Sequence, residues 1–275
     1  MKKILAISVL ALLALTGCVK DEMFKGPSKI ESVVFAPEAP TSVTPVEVTA
    51  TVSGLQAITT ATLRYGNAAL PMTPDNSGKK FKATIPAQPD GTEITFNVTV
   101  VNEAGFTTES DNYSYKVGDP APDWSKLKFN EVYGAGADEE KFFELYNGSD
   151  FPIKLTGVTI SKDEANCWTG IDGEVVPAKG YFAIIGAKGT TPRGFSSGFS
   201  SKKSVIVELF DTKGNRIDFF QRGEKGSDGK WGASLPNVSD SWQRIPDGTG
   251  SWKIAAPTVN AKNASTGTDD PDVKQ

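Results

Sequence analysis

The feature that most constrains this chain is an alternation of period two. Ile94, Phe96, Val98 and Val100 interleave with Thr95, Asn97, Thr99 and Val101. Val46, Val48, Ala50 and Val52 do the same against Glu47, Thr49, Thr51 and Ser53, and Phe81, Ala83 and Ile85 against Lys80, Lys82 and Thr84. Successive side chains of a strand face opposite sides, so each set gives one dry and one wet face, as antiparallel sheets require. Further runs near 30–35, 61–66, 70–72 and 112–117 bring the total to about seven short strands between 30 and 117. Turn residues separate them: Pro37-Glu38-Ala39-Pro40, Asp75-Asn76-Ser77-Gly78, Pro89-Asp90-Gly91 and Glu103-Ala104-Gly105. That density of strands and turns specifies a β-sandwich.

A second series of strand-like runs follows at 127–133, 142–147, 153–162, 180–187, 204–210, 216–221, 241–245 and 252–255. Lys213-Gly214-Asn215 is a hairpin turn between two of them. No stretch of eleven or more residues has helical periodicity. The expected class is all-β, with two tandem sandwiches joined by the Pro-rich stretch 118–124 (Gly118 to Trp124), read as a semi-rigid hinge.

The chain contains no histidine, which excludes Ser-His-Asp, Cys-His and His-metal chemistry together. Its two cysteines, Cys18 and Cys167, cannot build a disulfide framework or a Cys-rich zinc site. No P-loop, dinucleotide fingerprint or nucleophile elbow is present, so no cofactor or metal is expected.

The first residues read as an address. Lys2 and Lys3 precede Ile4–Leu15, twelve residues that are apolar except for Ser8 and too short to span a hydrocarbon core of about 30 Å. Leu15-Thr16-Gly17-Cys18 then resembles the lipobox of bacterial lipoproteins. The resemblance implies removal of residues 1–17, acylation of Cys18 and insertion of its acyl chains into the outer-membrane lipid. The formal charge of −4 then becomes −6 with the loss of two lysines. Lys20-Asp21-Glu22 behind the cysteine resembles the surface-export signal of Bacteroides-type lipoproteins, which implies a lipid-anchored, surface-exposed place on the cell outer membrane. Residues 18–29 are the tether.

Two further resemblances concern the folded parts. Val46-Glu47-Val48-Thr49-Ala50, Ala61-Thr62-Leu63-Arg64-Tyr65 and Gly91-Thr92-Glu93-Ile94-Thr95-Phe96 resemble bacterial Ig-like and fibronectin-III-like modules, which implies such a sandwich over 30–117. Phe129-Asn130-Glu131-Val132, Phe142-Phe143-Glu144-Leu145-Tyr146-Asn147, Leu209-Phe210-Asp211 through Asp218, and Ser241-Trp242-Gln243-Arg244-Ile245-Pro246-Asp247-Gly248 resemble the lamin-tail domain, which implies a second Ig-like sandwich over 125–264. The family often closes on Thr-Pro-Gly with an Asn three residues later. Here Thr258-Val259-Asn260 precedes Asn263, and Asn260 is expected to take the left-handed turn in place of Gly. Residues 265–275 are small and polar and read as a disordered tail.

Candidate sites are few. Glu131 and Glu144 offer a carboxylate pair for acid–base work, although the lamin-tail resemblance implies that Glu144 and Asn147 bond backbone. Asp138-Glu139-Glu140 is acidic but lacks the spacing of a calcium loop. Between Glu174 and Glu208 there is no acid, while Lys179, Lys188, Arg193, Lys202 and Lys203 alternate with Phe182, Phe195 and Phe199. Such a loop suits an anionic or glycan partner, and the acidic overall balance disfavours nucleic acid. Trp168 and Trp231 lie in polar surroundings and are candidate stacking platforms, whereas Trp242 and Trp252 match core positions of the family. The ligand-binding set expected is therefore Trp168, Arg193, Lys202 and Lys203.

The composite expectation is a non-enzymatic envelope lipoprotein that presents two sandwiches for adhesion or for binding a glycan or envelope protein. The alternatives are a carboxylate-based surface hydrolase and a pure spacer.

Overall fold

The computed structural model describes residues 25–186, 194–195 and 198–275. Residues 1–24, with the leader and the lipid-attachment Cys18, lie outside the described residues, as does Arg193. The chain forms two compact units. The first comprises the described residues up to Pro40, Thr44–Ala87 and Thr92–Lys116, and the second comprises Thr41–Val43, Gln88–Gly91 and the described residues of Val117–Gln275.

The first unit contains β1 (Lys29–Ala36), β2 (Val46–Ser53), β3 (Ile58–Tyr65), β4 (Ala68–Pro71), β5 (Thr73–Pro74), β6 (Lys80–Ile85), β7 (Glu93–Asn102), β8 (Thr107–Glu109) and β9 (Tyr113–Lys116). One sheet has the order β1-β2-β6-β5, and the other β4-β3-β7-β8 with β9 also on β7. The alternation seen in the sequence is the packing pattern. Val46, Val48, Ala50 and Val52 are buried, and so are Ile94, Phe96, Val98 and Val100. Phe96 meets Phe35 edge-on at 5.4 Å, a geometry that aligns a positive ring edge with a negative ring face.

The threading of this unit has a direction. Lys29 pairs with Ser53 at the start of β1, and Ile58 with Asn102. Lys116 at the end of β9 pairs with Glu93. The chain therefore enters at the pole marked by Ser53 and Asn102 and leaves at the pole marked by Glu93. Asn102 braces the first pole, donating to Gly26 O at 2.8 Å and accepting from Phe106 N at 3.0 Å.

The second unit contains β10 (Leu127–Tyr133), β11 (Phe142–Asn147), β12 (Ile153–Lys154), β13 (Thr159–Lys162), β14 (Ala165–Thr169), β15 (Val175–Val176), β16 (Tyr181–Ile185), β17 (Val205–Phe210), β18 (Arg216–Arg222), β19 (Ser241–Ile245) and β20 (Ser251–Ala255). Its two main sheets are β16-β11-β10-β19-β20 and β14-β13-β17-β18, with a small ladder of β12 and β15. Between them lies a core that includes Phe129, Phe143, Leu155, Ile160, Trp168, Leu209, Phe220, Trp242 and Trp252. Each large side chain so buried contributes roughly 1.5–3 kcal/mol. Asp218 and Arg244 stitch the sheets together at the chain's point of arrival. Asp218 accepts from Phe129 N at 2.8 Å and from Arg244 at 3.0 Å, while Arg244 donates to Phe129 O at 2.9 Å.

Three expectations change. The run 153–162 is two strands, because a turn closes on Val158 N donating to Leu155 O, with Gly157 at φ +81°. The segment around Cys167 and Trp168 is a strand, β14, hairpin-paired with β13 through Asp163 and Glu164 at positive φ. The tail is not disordered. Thr268 pairs with Ile254 and Val273 with Arg222, so residues 268–275 form a strap along β20 and β18.

Asp270 anchors that strap. It accepts from Arg222 Nε at 2.7 Å and from Trp242 Nε1 at 2.9 Å, with both charged side chains almost fully buried. Burial opposes ionisation of Asp270, but Trp242, the Asp272 amide and Arg222 together hold its pKa below the usual carboxylate value. Removing one partner of such a pair leaves an uncompensated buried charge, at a cost of about 3–5 kcal/mol. Asp270→Ala is expected to destabilise the second unit by that amount in urea denaturation. Asp269→Ala removes only an exposed partner of Lys253 and is expected to leave the midpoint in place. Equal midpoints for the two variants would contradict the anchoring role.

Candidate functional site

Two places in the second unit gather chemistry-bearing side chains. The first is the outer face of the sheet containing β10 and β11. A bulge near Phe129 sets Glu131 directly opposite Glu144 across the two strands, and neither has exposed surface. Above them runs the segment 256–264, which belongs to neither main sheet. Its amides still need acceptors, because buried N–H groups left unpaired are costly.

Side chains supply those acceptors. Thr258 N donates to Glu131 at 3.0 Å, Asn260 N to Glu144 at 2.5 Å, Asn263 N to Asp247 at 3.0 Å and Ala264 N to Gln243 at 2.9 Å. The Asn263 amide returns two bonds, to Asn130 O and Arg244 O. Asn260 has φ +56°, the left-handed turn expected where the family often has Gly. Asn147 likewise bonds backbone, donating to Phe151 O and Val176 O.

Two carboxylates directly opposed repel when both are charged. The Glu144 carboxyl is pushed up to about 8, by burial first, with the Glu131 and Asp247 charges adding and the bonds from Asn130 and Asn260 opposing. Tyr181 donates to Asp247 at 2.8 Å, and burial together with that bond raises the phenol above its ordinary value. The oxygens of Glu131 and Glu144 are taken up by protein donors inside the fold, and in this arrangement the pair secures the crossing segment. Cys167 is buried, and burial pushes its thiol up to about 12, far from a reactive thiolate.

The second place is the pole of this unit opposite Leu127, where the chain arrives. Ser201 N donates to Gly134 O at 3.1 Å, Gly186 N to Lys141 O at 2.7 Å and Gly232 N to Ser204 O at 3.0 Å. Lys225 pairs with Glu164 at 2.6 Å. These bonds collect the loops after β10, β16 and β18 and the β13–β14 turn at one end.

Lys202 and Lys203 are exposed there. Lys225 lies 6.0 Å from the centre of the half-buried Trp231 ring. A cavity of about 210 Å³ opens between Lys162, Asp163, Ser200, Lys203 and Gly232 over a floor that includes Phe199. That is smaller than the roughly 300–1,000 Å³ of pockets for drug-sized ligands.

Two expected features fail on burial. Trp168 is not a platform, because β14 turns it into the core, where it is 3% exposed. Phe195 and Phe199 are not interleaved stacking groups. Phe195 stacks on Phe143 at 4.3 Å, and Phe199 meets Phe143 edge-on at 5.4 Å. Glycines admit them, since a Cβ on Gly134 would stand 2.3 Å from Phe199 and one on Gly186 2.7 Å from Phe195. Of the expected set, Lys202 and Lys203 come together with Trp231 and Lys225. Lys225 carried no sequence signal, because its partner Glu164 is 61 residues away. Among the described residues no group of three acidic or sulfur side chains is disposed to hold a metal ion. Asp138 instead pairs with Lys141, and Glu140 accepts from Ala137 N.

Comparison with known proteins places residues 120–224 in a match to the lamin tail domain family. That match runs from before β10 to just past β18, inside the second unit. No curated protein matches the chain. Among solved structures, an uncharacterized Listeria monocytogenes protein in complex with glucose, magnesium and calcium shares 15% identity over 82% of this chain and 21% of its own, with a TM-score of 0.26. The cycloalternan-forming enzyme of the same species shares 14% over 70% and 19%, also at 0.26. A Bacteroides ovatus protein of a mixed-linkage glucan utilization locus, in complex with a heptasaccharide, shares 13% over 82% and 66%, again at 0.26. The present chain thus spans about a fifth of the length of the two Listeria proteins.

The Glu144 proton gives a signed prediction. The folded chain holds that proton up to about pH 8, while the unfolded chain releases it near 4.5. The associated stability is full below 4.5 and is lost as pH rises through about 8. One proton corresponds to a slope of about 1.4 kcal/mol per pH unit. Urea denaturation of the second unit from pH 5 to 8 is expected to show that decline, and Glu144→Gln to flatten it. An unchanged slope in the variant would count against a protonated Glu144.

Proposed function

We propose that this chain is a lipid-anchored cell-envelope protein, held at the outer membrane through acylated Cys18, which presents the far pole of its second sandwich to an anionic glycan. The observation that carries the reading is the segregation within that unit. Lys202, Lys203, Lys225 and Trp231 gather at the pole opposite the chain's arrival, while the buried carboxylates are committed to the fold. Cations at a rim raise the encounter rate with an anionic polymer and confer salt dependence. A half-buried indole beside them supplies an apolar contact for a sugar face. The small cavity beside Lys203, whose other wall is the Lys162–Asp163 ion pair, has room for a single uronate or sulfate-bearing ring. The role is binding rather than catalysis, and the surface-exposed leaflet is the side on which such a glycan is met.

A second reading, a pure spacer, is favoured by the first unit alone, whose chain enters and leaves at opposite poles. The ten residues of β7, at about 3.4 Å each, give a separation of roughly 34 Å.

A glycan array probed with the soluble fragment 19–275 distinguishes these readings. Retention of an anionic glycan is expected, weakened at least tenfold by the double change Lys202→Glu and Lys203→Glu and abolished in high salt. If no glycan is retained, or the double variant binds undiminished, the binding reading fails and the spacer stands. Hydrolysis of a surface polysaccharide lost in folded Glu144→Ala would favour a hydrolase instead. For the anchor, Cys18→Ala is expected to abolish labelled-palmitate incorporation, and retained label would remove that part of the reading.

A further inference from the structure

The strap 268–275 is held in the manner of a bound peptide. It lies on β18 and β20, each the edge strand of its sheet. Lys274 N donates to Gln221 O at 3.0 Å and Gly223 N to Asp272 O at 2.7 Å. Thr268 exchanges both backbone bonds with Ile254, at 2.7 and 3.0 Å. The Gln275 side chain takes Trp252 N at 2.8 Å and reaches Trp252 O at 3.2 Å. The segment bridges one edge strand at Thr268, turns over residues 270–273 with Val273 N donating to Asp270 O at 3.2 Å, and bridges the other at Val273. Edge-strand backbone groups so bonded, with the side chains at the two ends of the turn seated in the fold, are used as in peptide recognition at a sheet edge.

The carboxylate seat is also held by groups outside the strap. Arg222 donates to Ser201 O and to Pro236 O, both at 2.9 Å, and its guanidinium lies 5.1 Å from the Trp242 ring. These partners fix the guanidinium with Nε still facing the seam, where Trp242 Nε1 converges on the same Asp270 oxygen. Two fixed donors aimed at one oxygen form a preorganised carboxylate receptor. Val273 fills an apolar seat beside it, 7% exposed and packed in the core cluster. Gly267 fits where a Cβ would stand 2.6 Å from Ile254 O.

The preceding segment is anchored separately. Thr258, Asn260, Asn263 and Ala264 are held by Glu131, Glu144, Asp247 and Gln243, none of which touches the strap. Ser265 and Thr266, between the two anchored stretches, are exposed. Release of the strap therefore breaks none of the bonds that hold Thr258, Asn260, Asn263 and Ala264.

We infer that the seam between β18 and β20 is a peptide-binding site, specific for a Gly-x-x-Asp-Pro-x-Val segment that turns over its Asp-Pro-x-Val residues, which residues 267–275 fill in cis and the same segment of a second copy of this chain fills in trans. The site is distinct from the cationic far-pole rim. Its ligand chemistry is one carboxylate hydrogen-bonded to Arg222 and Trp242, a second, from Asp272, 3.6 Å from Arg222, one β-branched side chain two residues beyond Pro271, and backbone bonds to both edges.

The test uses the full chain with a protease site inserted between Ser265 and Thr266, cut after folding. A fluorescein-labelled peptide of residues 266–275 is then added and followed by fluorescence polarisation. Saturable uptake is expected, competed by unlabelled peptide, and at least tenfold weaker for the peptide carrying Asp270→Asn. No uptake by cut protein that retains its circular dichroism overturns the proposal, as does equal uptake of the Asp270→Asn peptide. Unfolding on cutting overturns it too, since a segment that the fold cannot spare is not a ligand.

Discussion

A chain segment that crosses a sheet without joining it must find acceptors for its amides, and the outer face of the second sandwich is organised by that demand. Residues 256–264 bring their donors over β10, β11 and β19, and each strand answers with a side chain. Glu131, Glu144 and Gln243 come from the strands, and Asp247 from the turn beyond β19. Neutral side chains would serve four isolated amides, but carboxylates accept several bonds at once and make stronger ones. Glu131 uses this capacity by taking Thr258 N, Thr258 Oγ1 and Gln243 Nε2 together. Burying two facing acids in turn obliges one of them to keep its proton, and the raised Glu144 pKa follows.

The far pole of the same unit works on a different principle. Phe195 and Phe199 are drawn inward against Phe143, and two glycines make room for them. With these aromatics consumed by the core, Lys202 and Lys203 are left exposed among the described residues that follow them. Stability and surface chemistry are thus assigned to different residues of one loop, which lets its cations vary at little structural cost.

Much of this was legible in the sequence, and the residues explain the limits. Strands β2, β6 and β7 declare themselves because one face is dry and the other wet. The left-handed Asn260 was readable because few residue types tolerate that conformation. Trp168 was not readable as core, since β14 offers only Cys167 and Trp168 as buried side chains in a polar pentapeptide. The strap was illegible for a related reason. Its composition is that of a disordered tail, and it is ordered by bonds to strands and by Asp270 reaching Arg222, 48 residues back. The one available clue was Arg222 itself, a cation at the end of a strand that carries Ile217, Phe219 and Phe220, where burial requires a counter-charge.

The opposite-pole threading of the first unit also sets how it bears force. A pull between the segment before Lys29 and a load beyond Lys116 runs along the strands. β1 is then dragged lengthwise past β2, and the antiparallel bonds from Lys29–Ser53 to Ala36–Glu47, which lie across the strands, are strained together. Parting the pair requires breaking them in concert, whereas a hairpin pulled from one end opens a rung at a time. The unit therefore resists tension in shear, its stiffest direction.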